Sequence, residues 1–324
     1  MEWSGVNVAR SMSQGDDPRL GDLLVEGDCA DIVLVGFPCD EGVRRNGGRV
    51  GARHGPAQFR ARVRRTGALL NRELQVDLRV LSVADAGDVE THTLEISHEA
   101  LRKKVATICG RQAHSCCVVI GGGNDQSFPN ACGLFDALPE DCHVCVINID
   151  AHLDVRPLNN GMPHSGSPFR QLLESEFSHR LTFCEFACQG SQCAASHVDY
   201  CEEHNVKIHW LSSILKDPIG EFQKCLDDMV QEAREGGASE VAIFVSFDID
   251  SIRASDCPGV SCPSSIGLTA DHAYGICNVA GGNPLVRLLD FSEYNPDVED
   301  YMTGKLVANL FYQFCCGRAT LKRD

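Results

Sequence analysis

No apolar run in this 324-residue chain approaches the roughly 20 residues of a membrane-spanning helix, so no membrane span is expected. Basic residues are scarce: 29 Lys and Arg stand against 45 Asp and Glu, a formal charge of −16. A field of that sign repels phosphate backbones and anionic lipid, which removes nucleic acid and membrane surfaces from the expected partners. Met1 to Leu20 hold no apolar core of a secretory signal, so a cytoplasmic setting with reduced thiols is expected. Cysteine is plentiful, at 18 residues, yet the paired C-x-x-C…C-x-x-C spacing of zinc sites is missing. Cys116, Cys117, Cys145 and Cys315 lie in apolar runs and read as small buried hydrophobes. The Gly121-Gly122-Gly123 turn belongs to neither G-x-x-x-x-G-K-[ST] nor G-x-G-x-x-G, which weakens a nucleotide-binding reading. Internal repeats, low-complexity tracts and long linkers are also missing.

A hydrophobic share of 43% is ample for one sizeable core. Residues 1–30 read as a polar, partly disordered segment and residues 31–324 as a single domain. Strands are expected at Ile32–Phe37, Arg79–Ser82, Cys116–Ile120, Val144–Ile149, Leu181–Phe186, Lys207–Trp210, Val241–Phe247 and Val286–Phe291. Helices are expected from Pro56 onward and over Ile96–Cys109, Ser167–Glu176, Ala194–His204, Ile219–Glu235 and Val298–Cys316. Strand–loop–helix alternation of this kind predicts an α/β fold, with one mostly parallel sheet carrying helices on both faces. In such sheets ligands bind beyond the carboxyl ends of the strands. Gly121–Asp125, Asp150–Asp154, Asp248–Asp250 and Glu293 all follow expected strands.

Two acidic clusters carry the chemistry. Asp150-Ala151-His152-Leu153-Asp154 follows Val144–Ile149, and Asp248-Ile249-Asp250 follows Val241–Phe247. Extended backbone alternates its side chains, so Asp150, His152 and Asp154 would share one face, as would Asp248 and Asp250, if that geometry persists past the strand ends. One such aspartate alone is commonly the N-cap of the following helix. Two clusters, one with a histidine in the middle, point instead to cation binding. Four converging carboxylates repel one another, and about two divalent ions would neutralise them. Oxygen ligands with one imidazole suit Mn²⁺. The residues therefore read as a two-metal hydrolase.

Five segments resemble the ureohydrolase (arginase and agmatinase) family in family order: Gly36-Phe37-Pro38-Cys39-Asp40-Glu41-Gly42, Gly121-Gly122-Gly123-Asn124-Asp125, Asp150–Asp154, Ser246-Phe247-Asp248-Ile249-Asp250 and Asp290-Phe291-Ser292-Glu293-Tyr294-Asn295-Pro296. The resemblance implies a three-layer α/β/α fold, two Mn²⁺ per subunit, and a homo-oligomer, trimeric or hexameric. It implies Asp150 and Asp248 as bridging ligands, His152 and Asp250 on one ion, and Asp154 and Asn124 on the other. The family usually has His where Asn124 stands, which implies a weaker first ion site. A turn residue after three glycines is the plainer reading of Asn124.

The loop from Val43 to Pro56, with Asp154-Val155-Arg156, Ser165–Arg170 and Pro258–Pro263, resembles the formimidoylglutamase branch. That implies hydrolysis of N-formimino-L-glutamate to L-glutamate and formamide, a step of histidine breakdown, by a hydroxide held between the metals. Arg156, two residues past Asp154, suits a substrate carboxylate; a cationic substrate such as arginine or agmatine would gain less from it. Asn46, Arg49, Ser165 and Gly166 join Arg156 as substrate-binding candidates. Arg44, Arg45, Arg49 and Arg53 equally suit a solvated loop, and Arg156 a structural ion pair. Asp154 would steady the nucleophile, and Asp154 or His164 would pass a proton to the leaving amine. His164 equally suits capping of the Ser165 turn. Glu293 would accept from the formimino N–H groups, or open a helix. Cys39, with Cys257 or Cys262, could form a disulfide that disturbs the ligands. Other ureohydrolase activities, or a catalytically weak regulatory homologue on account of Asn124, are the alternatives.

Overall fold

A nine-stranded sheet runs through the middle of the chain in a computed structural model that describes residues 17–112 and 114–322. In chain order its strands are β1 (Leu24–Glu26), β2 (Ile32–Phe37), β3 (Val83–Asp88), β4 (Cys116–Gly121), β5 (Cys142–Ile149), β6 (Leu181–Cys188), β7 (Lys207–Trp210), β8 (Glu240–Asp248) and β9 (Val286–Ser292). Their order across the sheet is β1-β3-β2-β4-β9-β8-β5-β6-β7, and every neighbouring pair is parallel. Inner strands are apolar on both faces because each face is roofed by helices. Ile32, Leu34, Val118, Ile147 and Val245 pack into one core with helices Gly55–Val63, Pro218–Glu235, Ala270–Gly282 and Tyr301–Thr320. Val33, Val35, Val119, Val146 and Phe244 pack into the other with Leu94–Arg111, Ser127–Ala137, Pro168–Leu173 and Ala195–Glu203. Each such fully buried side chain contributes roughly 1.5–3 kcal/mol. The three-layer α/β/α arrangement expected from the sequence is the one observed.

Several elements differ from expectation. Arg79–Ser82 is not a strand: Leu78–Val80 forms a 3-10 turn, opened by Asp77, whose carboxylate accepts from the Arg79 N–H at 3.0 Å, and the strand follows at Val83–Asp88. Ser167–Glu176 shortens to Pro168–Leu173. Helices Ser127–Ala137 and Ala270–Gly282 were not anticipated. Of the N-terminal segment expected to be partly disordered, Leu20–Asp22 forms a 3-10 turn and Leu24–Glu26 a strand that pairs Leu24 with Val83, while residues 1–16 lie outside the described residues. Among the described residues, no helix is long and apolar enough to cross a membrane.

The four strands that carry the acidic, amide and glutamate motifs are β4, β9, β8 and β5. They are separated in sequence but adjacent in the centre of the sheet. Phe247 pairs with Ile149, Asp248 with Ser292, and Phe291 with Ile120, so all four end at one level.

Candidate metal centre and substrate pocket

The two aspartate clusters converge, but by a different local device from simple alternation. Asp150 Oδ1 accepts the His152 N–H at 2.7 Å, and Asp248 Oδ1 accepts the Asp250 N–H at 2.9 Å. Each first aspartate thus folds its own loop over in an Asx turn. Ile249–Ser251 is a 3-10 turn, and Asp154 sits at φ +46°. Extended geometry does not persist past the strands, because the carboxylates capture backbone N–H groups there. Asp150, His152 and Asp154 present ligand atoms within 4.8 Å of one another, and so do Asp150, Asp248 and Asp250. The two groups share Asp150. His152 Nδ1 also lies 3.1 Å from Asp150 and 3.4 Å from Asp250.

Burial with like charge raises the carboxyl pKa values. Asp154 is pushed up to about 8 by desolvation and then by Asp150. Asp248 is raised by desolvation and by Asp250, and Asp250 by desolvation, offset in part by His152. Burial opposes a charged His152, but the Asp250 charge and hydrogen bonds to Asp150 and Asp250 override it and raise its pKa. Asp250 Oδ1 and Glu293 Oε2 are buried without a partner. Divalent cations would reverse these carboxyl shifts and take up the orphaned Asp250 oxygen, so the donor set fits a two-ion centre.

Asn124 is brought to this cluster. Its Nδ2 donates to Asp154 Oδ2 at 2.8 Å, while its Oδ1 accepts from Ser127 at 3.0 Å and from Ser292 at 2.9 Å. The assigned amide orientation therefore turns Nδ2, not the carbonyl oxygen, toward Asp154. Glu293, at φ +67°, accepts the Asn124 N–H at 3.2 Å, and burial with the Asp250 charge raises its pKa well above the ordinary value.

The expected substrate residues meet in a second group. Arg156 Nη1 approaches Asn46 Oδ1 at 3.4 Å, and Asn46 Nδ2 donates to Ser165 Oγ at 3.1 Å. The Arg156 N–H donates to Gly166 O at 2.9 Å. Arg49 instead spends its guanidinium on the carbonyls of Ser261 and Val260, at 2.9 and 2.8 Å, and so ties two loops together. Arg44 pairs with Glu41, and Arg45 with Glu41 and Glu95. His164 is held by backbone on both sides: Nδ1 accepts from the Gly166 N–H at 3.2 Å and Nε2 lies 3.1 Å from Pro157 O. Burial lowers its pKa, so the ring is neutral with its proton on Nε2. Cys39 and Cys257 are buried free thiols in opposite core clusters, and Cys262 is exposed. Burial, then the Asp125 charge, pushes Cys39 up to about 12, and burial pushes Cys257 well up, which disfavours the thiolates that oxidation needs.

Sequence reasoning missed the residues behind the centre. Asn148 donates to Asp150 Oδ2 at 3.3 Å and to Glu185 Oε2 at 2.9 Å. Desolvation and then Asp150 raise the Glu185 pKa well above its ordinary value. His98 Nε2 lies 2.8 Å from Asp125 Oδ2. The available signal was a lone polar side chain inside an apolar run, Asn148 within Val144–Ile149 and Glu185 within Phe183–Cys188.

The arginase family model matches residues 30–317. The formimidoylglutamase of Geobacillus kaustophilus is 33% identical over 285 residues, covering 87% of this chain and 81% of that protein. That of Photorhabdus laumondii is 30% identical over 289 residues, covering 87% and 84%. The structure of Trypanosoma cruzi formiminoglutamase with two Mn²⁺ ions is 46% identical with a TM-score of 0.84, covering 94% of this chain and 99% of that one. The Bacillus subtilis formimidoylglutamase, at 21% identity and a TM-score of 0.84, shares the fold. A family match over nearly the whole described chain, joined to two aspartate clusters at the ends of adjacent parallel strands, makes this chain a member of the arginase family.

Proposed function

We propose that this protein is a metal-dependent hydrolase that cleaves N-formimino-L-glutamate to L-glutamate and formamide. The supporting observation is the grouping of Arg156 with Asn46, Ser165 and Gly166, two residues along the chain from the metal candidate Asp154. A guanidinium there holds a substrate carboxylate in a charge-assisted contact, whereas the cationic groups of arginine or agmatine would be repelled. The formimidoylglutamases and the manganese-bearing formiminoglutamase among the relatives support the same reading.

Asp150, His152, Asp154, Asp248 and Asp250 would hold two Mn²⁺ ions, and Asn124, beside Asp154, would join them with its amide turned over to present Oδ1. Bound there, the ions would supply hydroxide near neutral pH for attack on the formimino carbon. Arg156 anchors the substrate carboxylate. Glu293 turns its unpartnered Oε2 toward the formimino N–H groups as acceptor. Asp154 delivers the proton to the leaving amine. His164, neutral and bonded on both ring nitrogens, shapes the turn that presents Ser165 and Gly166. A homo-oligomer, trimeric or hexameric, in the cytoplasm completes the reading, and light scattering measures its size.

The test is turnover of formiminoglutamate after Mn²⁺ reconstitution under reducing conditions, with arginine and agmatine alongside. Turnover of formiminoglutamate alone is expected. Turnover of arginine or agmatine in its place would overturn the assignment of Arg156. No turnover of any substrate, with fewer than two ions bound, would favour a regulatory homologue with an ion site weakened by Asn124.

A further inference from the structure

A second donor cluster lies apart from the carboxylates and shares no residue with them. Cys184 on β6, His209 on β7 and Cys225 on helix Pro218–Glu235 present ligand atoms within 4.8 Å of one another. The two sulfurs are 3.2 Å apart. β6 and β7 pair Phe186 with His209, so His209 stands on the face of the sheet that carries Cys184 and Phe186. The helix lays Cys225 onto that face, with Phe222 and Leu226 in the same core. Met229, one turn on, brings its sulfur within 3.9 Å of Cys225.

We propose that Cys184, His209 and Cys225 form a binding site for a thiophilic divalent cation, with the chemistry of Zn²⁺. Two sulfurs and one imidazole are a zinc donor set, and they leave a fourth position for water or the Met229 thioether. Zinc–sulfur bonds of about 2.3 Å at a tetrahedral angle set the sulfurs about 3.8 Å apart. The observed separation of 3.2 Å then needs an opening of about half an ångström, within rotamer adjustment. The two sulfurs are buried, but His209 is only partly so, which leaves a way in from solvent. Binding releases the remaining thiol protons to solvent, and two thiolates neutralise the dication inside an otherwise apolar layer. The hydrogen bond between the two sulfurs lowers the Cys225 thiol, helped by His209, while burial and that same bond raise Cys184, so the pair shares a proton that an ion would displace. An occupied site would tie the edge strand β7, its neighbour β6 and the helix together.

The experiment uses the full chain, reduced and loaded with Mn²⁺, and titrates it with Co²⁺ as a spectroscopic stand-in for Zn²⁺. One equivalent should produce a thiolate-to-cobalt charge-transfer band, and one equivalent of Zn²⁺ should abolish it. The band should vanish in Cys225→Ser and in His209→Ala, and persist in Asp248→Ala. His209 is partly exposed, so its variant keeps the fold even if the buried cysteine variant does not. Zn²⁺ at a hundredfold excess over Kd should raise the unfolding midpoint by about 5 °C in the unmodified protein and not in His209→Ala. No band at one equivalent, or a band indifferent to His209→Ala, overturns the proposal. So does recovery of Cys184 and Cys225 as a disulfide after peroxide treatment with no ion uptake, which would assign the pair to redox chemistry.

Discussion

Gly166→Ala isolates the contribution of the Arg156 position. A Cβ added at Gly166 would lie 2.8 Å from Arg156 Cδ, and 3.2 Å from both Arg156 Nε and Asn46 Nδ2. Carbon–carbon contacts are comfortable at about 3.5–4.0 Å, so the Arg156 arm must retreat by about 1 Å. The Arg156 main chain is tethered to Gly166 O at 2.9 Å, and the side chain therefore does the moving. Charge-assisted contacts to a carboxylate are worth roughly 1.5–3 kcal/mol, and full loss would cost about 10- to 150-fold in affinity. A displacement of about 1 Å should forfeit much of that, so KM should rise about 10-fold or more. Since the yielding atoms are the outer part of a flexible arm, overpacking should stay near or below about 1 kcal/mol. Steady-state kinetics on formiminoglutamate, with metal analysis and a denaturant titration, supply the three readouts. The expected result is a raised KM, kcat within about threefold, two ions retained and stability nearly unchanged. An unchanged KM would refute the placement of a substrate carboxylate on Arg156. A fall in kcat with KM constant would move the Arg156 group to the reacting centre.

Glu293→Gln keeps the acceptor for the Asn124 N–H but places an amide where the unpartnered Oε2 stands. We expect kcat/KM to fall about 10- to 100-fold with manganese stoichiometry intact; undiminished turnover would remove Glu293 from the substrate contacts. Asp290→Asn addresses stability. Desolvation pushes the Asp290 carboxyl up to about 6 from 3.8 despite hydrogen bonds from Asn130, Ser246 and Ser127. The folded state then holds this proton to higher pH than the unfolded chain does, so its contribution is full below about pH 4 and is lost as pH rises toward about 6. The shift of about 2 pH units corresponds to about 3 kcal/mol. Denaturant midpoints of the Asn variant should be flatter across that window, and parallel profiles for the two proteins would contradict the assignment.

Much of the site was legible in the sequence because strand-end motifs are local. Asp150–Asp154, Asp248–Asp250 and Glu293 each stand at the carboxyl end of a sheet strand, and in a parallel sheet that position faces the ligand crevice. Of the residues expected to meet the substrate, Asn46, Arg156, Ser165 and Gly166 lie together, whereas Arg49 is held by the Ser261 and Val260 carbonyls. Helix Ser127–Ala137 was not, because it is buried from Ser127 through Phe135 apart from Phe128 and shows no polar stripe. Helix Ala270–Gly282 contains Gly275, Gly281 and Gly282, weak helix formers by themselves. A Cβ at Gly281 would strike the Phe314 carbonyl, so that glycine is set by the close approach of helix Tyr301–Thr320, which no local pattern records.

By itself the sequence determined the strand and helix periods of most elements, the α/β class and the donor types of the centre, since these depend on residues near one another in the chain. Tertiary structure alone decided the rest. Placing β9 and β8 between β4 and β5 puts four distant motifs side by side. The aspartates converge through Asx turns that capture the His152 and Asp250 N–H groups rather than through extended alternation. The layer behind them, from Asn148 to Glu185, and the meeting of Cys184, His209 and Cys225 depend on strand order and helix docking. Those are set by burial summed over the whole chain, a quantity no short window of sequence contains.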